Sequence, residues 1–120
     1  MNVAVLGASK KPERYSYKAV KLLQEKGHTT FPVHPAIDEI DGIRVFKNLS
    51  KISEPIDTIT VYLSPENSNK TVEDILKSGA RRVIFNPGSE NPELIDTLNK
   101  KGFEIVEACT LVMLKTGQFE

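Results

Sequence analysis

The chain has 120 residues, 39% of them hydrophobic and 27% charged, an ordinary balance for one globular domain with its own core. Sixteen basic and sixteen acidic residues cancel, so bulk charge supports neither nucleic acid nor an acidic membrane as a partner. A single cysteine, Cys109, excludes an internal disulfide and a Cys-based metal site and fits a reducing, cytoplasmic compartment, and no apolar stretch approaches a membrane span or a signal segment.

Val3-Ala4-Val5-Leu6 is a short apolar run, the pattern of a strand covered on both faces; the strand is predicted over 2–6. Gly7-Ala8-Ser9 follows as a small-residue turn. An amphipathic helical pattern then begins at Ser16, with Ala19, Val20 and Leu23 on its apolar face. Strand, glycine turn and helix start in that order suit an anion. Gly7 has no Cβ, so main-chain amides can approach a phosphate closely. The helix start aims its unpaired N–H groups and positive dipole end at the same place. Lys10, Lys11 and Arg14 make the entry locally basic, and the arginine fork matches phosphate oxygens. Ser16 is expected to cap the helix and donate to the same group, with Tyr17 beside it.

Glu25-Lys26-Gly27 ends that helix, and a strand over 29–33 runs into His34-Pro35. The polar loop from His34 to Gly42 is an excursion. Ile43-Arg44-Val45-Phe46 reads as a weaker strand pairing at an edge, and Leu49 to Ile52 as a short helix. A strand over 57–63 leads to Ser64-Pro65, a capping residue before a proline at the first helical position. Val72, Ile75 and Leu76 form the apolar face of the helix that follows. A strand over 82–86 meets the turn Asn86-Pro87-Gly88-Ser89. Asn91-Pro92 starts another helix, carrying Ile95 and Leu98. The last strand is predicted over 103–106, and Cys109 stands before a final helix from Thr110 to Lys115.

Strands alternating with helices predict a three-layer α/β/α, doubly wound, Rossmann-like domain over 1–120. The sheet should be mainly parallel, with five main strands and a short edge strand. Such sheets bind ligands outside the carboxyl ends of their strands, where the strand order reverses. Right-handed crossovers put the 57–63 strand on the other side of the first one. The loops Gly7 to Arg14, Ser64 to Glu66 and Asn86 to Ser89 should then converge, with His34-Pro35 beside the first.

Other chemistries fit less well. A dinucleotide fingerprint needs glycine where the chain has Ser9 and Pro12, and an acidic residue near the end of the second strand, which reads Val33-His34-Pro35. His34 lines a pocket by packing or hydrogen bonding, or else acts as a base; His28 lies at the far end of the same strand, so the two cannot share a metal. Cys109 is either a buried structural thiol or a thiolate stabilised at a helix start and able to exchange with a ligand thiol. No nucleophile elbow, metal-spaced histidine pair or P-loop lysine is present.

Taken in order, several segments resemble the small stand-alone CoA-binding domain family, Rossmann-like proteins related to the CoA-binding domain of succinyl-CoA synthetase. They are Val5-Leu6-Gly7-Ala8-Ser9, Pro12-Glu13-Arg14 with Ser16-Tyr17, Pro32-Val33-His34-Pro35, Ser53-Glu54-Pro55-Ile56-Asp57, Phe85 to Ser89, and the late Cys109. The resemblance implies binding of coenzyme A or an acyl-CoA, with no established catalytic role. It implies phosphate contacts from Gly7, Ala8, Ser9, Arg14 and Ser16, to which Lys10 and Lys11 add charge. His34 and Pro35 would border the adenosine, while Ser64, Pro65, Asn86, Pro87 and Gly88 close the crevice. The chain departs from the family pattern at His34, often asparagine, at Ala36, often lysine, and at Asn86, often glutamine. Alternatives are an acyl-CoA- or nucleotide-dependent enzyme using Cys109 or His34, an NAD(P)-binding protein, and an interaction module without a ligand.

Overall fold

The computed structural model describes residues 1–120. In chain order its elements are β1 (Asn2–Leu6), α1 (Tyr15–Glu25), β2 (Thr29–Val33), β3 (Glu39–Ile40), β4 (Ile43–Arg44), β5 (Thr58–Val61), α2 (Pro65–Ser68), α3 (Val72–Lys77), β6 (Arg82–Phe85), α4 (Pro92–Lys100), β7 (Glu104–Glu107) and α5 (Thr110–Lys115). Single 3₁₀ turns lie at Leu49–Lys51 and Asn69–Thr71. Five strands form one parallel sheet in the order β2-β1-β5-β6-β7. The chain leaves β1 to one side for β2 and returns past it for β5, so the order reverses between β1 and β5. Leu6 is level with Val33 on one side and Val61 on the other, so three strand ends finish together at the reversal.

Alternation along each strand divides the core between the two faces of the sheet. Ala4, Leu6, Phe31, Val33, Ile59, Val61, Val83 and Phe85 pack with Ile75 of α3 and Leu94 and Leu98 of α4. Val3, Val5 and Ile84 pack with Val20 and Leu23 of α1 and Met113 and Leu114 of α5. The result is the expected three-layer α/β/α, Rossmann-like arrangement. No helix is long and apolar enough to cross a membrane.

Three local expectations change. The edge strand expected from Ile43 to Phe46 divides. Asp41 and Gly42 both take positive φ, 48° and 84°, which suits a tight two-residue turn and folds Ile43–Arg44 back on Glu39–Ile40 as an antiparallel hairpin. Phe46 alone reaches the sheet: its N–H donates to Pro32 O, and its carbonyl accepts from His34 N–H, both at 2.9 Å. The strand expected over 57–63 spans Thr58–Val61; Tyr62 N–H still donates to Leu6 O at 2.8 Å, and the Tyr62 and Leu63 side chains line the space above the sheet. Finally, Ser16 does not cap α1. Arg14 is the extended residue before the helix because its N–H closes a turn on Lys11 O at 3.0 Å; Ser16 is the second helical residue, 6% exposed. The two caps expected before proline do form: Ser64 Oγ accepts Asn67 N–H at 3.4 Å, and Asn91 Oδ1 accepts Leu94 N–H at 3.1 Å.

Candidate functional site

At the end of β1 the chain must turn sharply beneath the exit of β5. Gly7 does so at φ +91°, and a methyl group in place of its hydrogen would lie 2.8 Å from Leu63 Cδ2 and 2.9 Å from Tyr62 O. Only glycine satisfies both the dihedral and the approach. The Gly7 and Ala8 N–H groups both donate to Val33 O at 3.1 Å. This corrects the expectation that these two amides face an anion: the pairing with β2 runs past Leu6 and consumes them. The amides left without an acceptor in the chain are those of Ser9, Lys10 and Glu13 and of Tyr15, Ser16 and Tyr17 in the first turn of α1. Ser9 Oγ accepts Lys11 N–H at 3.1 Å and shapes the turn between them.

Two adjoining cavities open over this turn, of about 470 and 350 Å³. The larger is lined by Gly7 to Lys11, Arg14, Ser16, His34, Ile37, Tyr62 and Leu63. The smaller is lined by Leu6, Gly7, Val33, His34, Pro35, Lys47, Asn48, Leu49, Leu63, Asn67, Lys70, Thr71 and Asp74. Gly7, His34 and Leu63 belong to both, so the two form one cleft across the ends of β1, β2 and β5. The cleft therefore gathers Gly7, Ala8, Ser9, Lys10, Arg14, Ser16, His34 and Pro35. Within it, His34 Nδ1 accepts Ala36 N–H at 3.0 Å, which puts the proton of the neutral ring on Nε2 and makes that atom a donor.

The remaining sequence candidates lie elsewhere. Tyr17 donates its hydroxyl to Asp41, which also pairs with Lys21 at 3.2 Å, so Tyr17 ties the β3–β4 hairpin to α1. That hydrogen bond is the main cause of a raised Tyr17 pKa and a lowered Asp41 pKa. Ser64 and Pro65 are occupied with starting α2 and do not line the cleft. Asn86 is 1% exposed. Its Nδ2 donates to Thr60 Oγ1 at 2.7 Å and Val61 O at 2.9 Å, and its Oδ1 accepts Thr110 N–H at 2.8 Å. A ligand-facing amide at this position is thus corrected to an internal strut joining β5, β6 and α5. Pro87 and Gly88 are exposed, and Gly88 N–H is taken by Glu90 Oε1 at 2.8 Å. They miss the cleft because β6 is one strand beyond the reversal. Cys109 stands directly before α5 as expected, half-buried, but outside both cavities. Its neighbour Tyr62 reaches the cleft. The Tyr62 hydroxyl is buried without a hydrogen bond, and burial, then Cys109, raises its pKa. Thr60 and Thr110, close by, instead bond each other at 2.7 Å.

Sequence reasoning missed the far wall, Lys47 and Asn48 after β4 and Asn67, Lys70, Thr71 and Asp74 on the α2–α3 segment. The last four recur at helical spacing and form a polar stripe flanking the buried Ser68 and Ile75. The spacing is a signal; what the stripe faces is not.

Electrostatically the cleft departs from the chain as a whole. Its walls carry Lys10, Lys11, Arg14, Lys47 and Lys70 against one carboxylate, Asp74, in a protein of zero formal charge. A concave surface lined by one sign of charge concentrates an anionic ligand. No group of three or more His, Cys, Asp or Glu side chains is placed to hold a metal ion.

Comparison with known proteins bears on the family and the fold. The family model described as a CoA binding domain matches residues 1–115. The chain is 32% identical over 104 residues to the protein YneT of Bacillus subtilis, covering 87% of this chain and 77% of that one. It is 24% identical over 115 residues to the alpha subunit of ADP-forming acetate–CoA ligase II of Pyrococcus furiosus, a match taking up 87% of this chain but only 25% of that subunit. Among solved structures, the crystal structure of an uncharacterized protein superposes with a TM-score of 0.92 at 40% identity, covering 98% of this chain and 97% of the other. A hypothetical protein from Pyrococcus horikoshii OT3 superposes at 0.91 with 28% identity, covering 96% and 82%. With the family model spanning nearly its whole length, the chain belongs to the CoA-binding domain family.

Proposed function

We propose that this single-domain chain binds coenzyme A or an acyl-CoA in the cleft over β1, β2 and β5, as a binding protein rather than a catalyst. The observation that carries this is the concentration of five cations around one carboxylate at the strand-order reversal of a charge-neutral chain. The free amides of Ser9 and Lys10 and of the first turn of α1 receive the pyrophosphate, with the Ser16 hydroxyl as a further donor. Lys10, Lys11 and Arg14 supply the countercharge. Gly7 and Ala8 act by shape, letting the turn lie low enough for the ligand to pass. His34 and Pro35 border the adenosine, over an apolar floor of Leu6, Val33, Leu49 and Leu63.

Isothermal titration with CoA, NAD and ATP tests the proposal. CoA should bind most tightly, because NAD and ATP lack the separate phosphate on the adenosine 3′ oxygen. Tightest binding by NAD, or no binding of CoA, overturns it.

A further inference from the structure

We propose that the Lys47–Lys70 end of the cleft is a monophosphate subsite that reads the 3′-phosphate of CoA, so that the protein discriminates CoA from dephospho-CoA. The proposal rests on the CoA-binding function above and extends it to residues on the opposite wall.

The cations of the cleft fall into two groups carried by different elements. Lys10, Lys11 and Arg14 ride on the turn after β1 and the entry to α1; Lys47 follows β4, and Lys70 lies in the 3₁₀ turn before α3. Gly7, His34 and Leu63 are the only lining the two cavities share, and they separate the groups. A ligand with a single anionic moiety engages one group and leaves the other idle. A nucleotide with a diphosphate on one side of its ribose and a monophosphate on the other engages both.

The second pair of cations is also available. Lys70 forms no ion pair, and Lys47 reaches only Asp38, at 3.7 Å between two exposed side chains, a contact worth little and readily exchanged. A phosphomonoester carries roughly 1.5–2 negative charges near neutral pH, more than one ammonium neutralises. Leu6, Val33 and Leu49, almost fully buried, line the same cavity as Lys47 and Lys70 and give it an apolar floor for a purine. Asp74, one helical turn beyond Lys70, makes no ion pair and is placed to accept from an exocyclic amine. An acceptor lining the same cavity as the two cations distinguishes this end from a plain polyanion groove.

The test compares CoA with dephospho-CoA, by titration calorimetry, on the wild type, on a Lys47→Gln/Lys70→Gln double variant and on Lys10→Gln. The substituted lysines are exposed, so the fold is retained, and thermal melting verifies it. The wild type should bind CoA at least about tenfold more tightly than dephospho-CoA, the scale of a charge-assisted contact. The double variant should bind the two ligands equally, with wild-type affinity for dephospho-CoA. Lys10→Gln should weaken both ligands alike and keep their ratio. Equal wild-type affinities, or a preference that survives in the double variant, overturns the subsite while leaving CoA binding intact. If neither ligand binds the wild type, the underlying function fails and the subsite with it.

Discussion

Gly7 lies so close to the backbone of Tyr62 that a methyl group added to it would stand 2.9 Å from the Tyr62 carbonyl oxygen. The first strand's exit and the third main strand's exit are locked together at this point, and the cleft opens directly above. Gly7→Ala imposes a positive φ on a residue with a Cβ and a clash with main chain that cannot swing aside. It should cost about 2–4 kcal/mol of stability and weaken CoA binding in the same variant. Urea denaturation with a parallel titration measures both, and a wild-type midpoint would show that the turn relaxes freely.

Arg14 is exposed, forms no ion pair and flanks the free amides of the α1 entry. Arg14→Ala should leave the melting temperature unchanged and weaken CoA binding by about 1.5–3 kcal/mol, the worth of a hydrogen bond to a charged group. Added salt should weaken the wild type more than the variant, since screening acts on the charge the variant lacks. An unchanged dissociation constant removes Arg14 from the site.

Asn86 makes the opposite prediction. Its three hydrogen bonds are internal. Asn86→Ala should therefore destabilise by about 2–4 kcal/mol, chiefly by orphaning the buried Thr110 amide. CoA affinity, measured where the variant is fully folded, should stay at the wild-type value. Loss of affinity without loss of stability would return Asn86 to the ligand.

His28 contributes to the response to mild acid. Its side chain is 3% exposed, with Nδ1 3.2 Å from the Met1 amino group and Nε2 3.3 Å from Glu120. Burial first, then the N-terminal charge, lowers its pKa, and Glu120 only partly opposes them. The unfolded chain therefore binds this proton more readily than the folded one. Stability from this group is complete above the unfolded value of about 6.5. It falls as pH drops from there through the lowered folded value, and then levels off. Thermal melts across that range should show the decline in the wild type and a flatter profile in His28→Gln. Identical profiles would assign the acid response to other groups.

Much of the architecture was legible because it is written in local pattern. The strand at 2–6, the strand at 29–33, the caps at Ser64 and Asn91 and the apolar helix faces each depend on residues within a few positions of one another. Alternating strands and helices, with crossovers of one hand, then leave few sheet orders available, and the reversal beside β1 follows. The basic entry at Lys10, Lys11 and Arg14 was equally readable, being contiguous in the chain.

What needed the tertiary structure was the use made of each polar group. Gly7 and Ala8 look like anion donors until Val33 O takes their hydrogens. Asn86 looks like a loop residue at a strand end, yet Thr60, Val61 and Thr110 surround it. Tyr17 sits near the basic turn in sequence but is spent on Asp41. Lys47 and Lys70 are far from that turn in the chain, and only the packing of the β4 exit and the α2–α3 segment over β1 and β2 brings them to the same cleft. Periodicity states which face of an element is apolar, whereas the partner of a hydrogen bond or a charge depends on residues distant in sequence, so the scaffold belonged to the sequence and the ligand-facing surface to the fold.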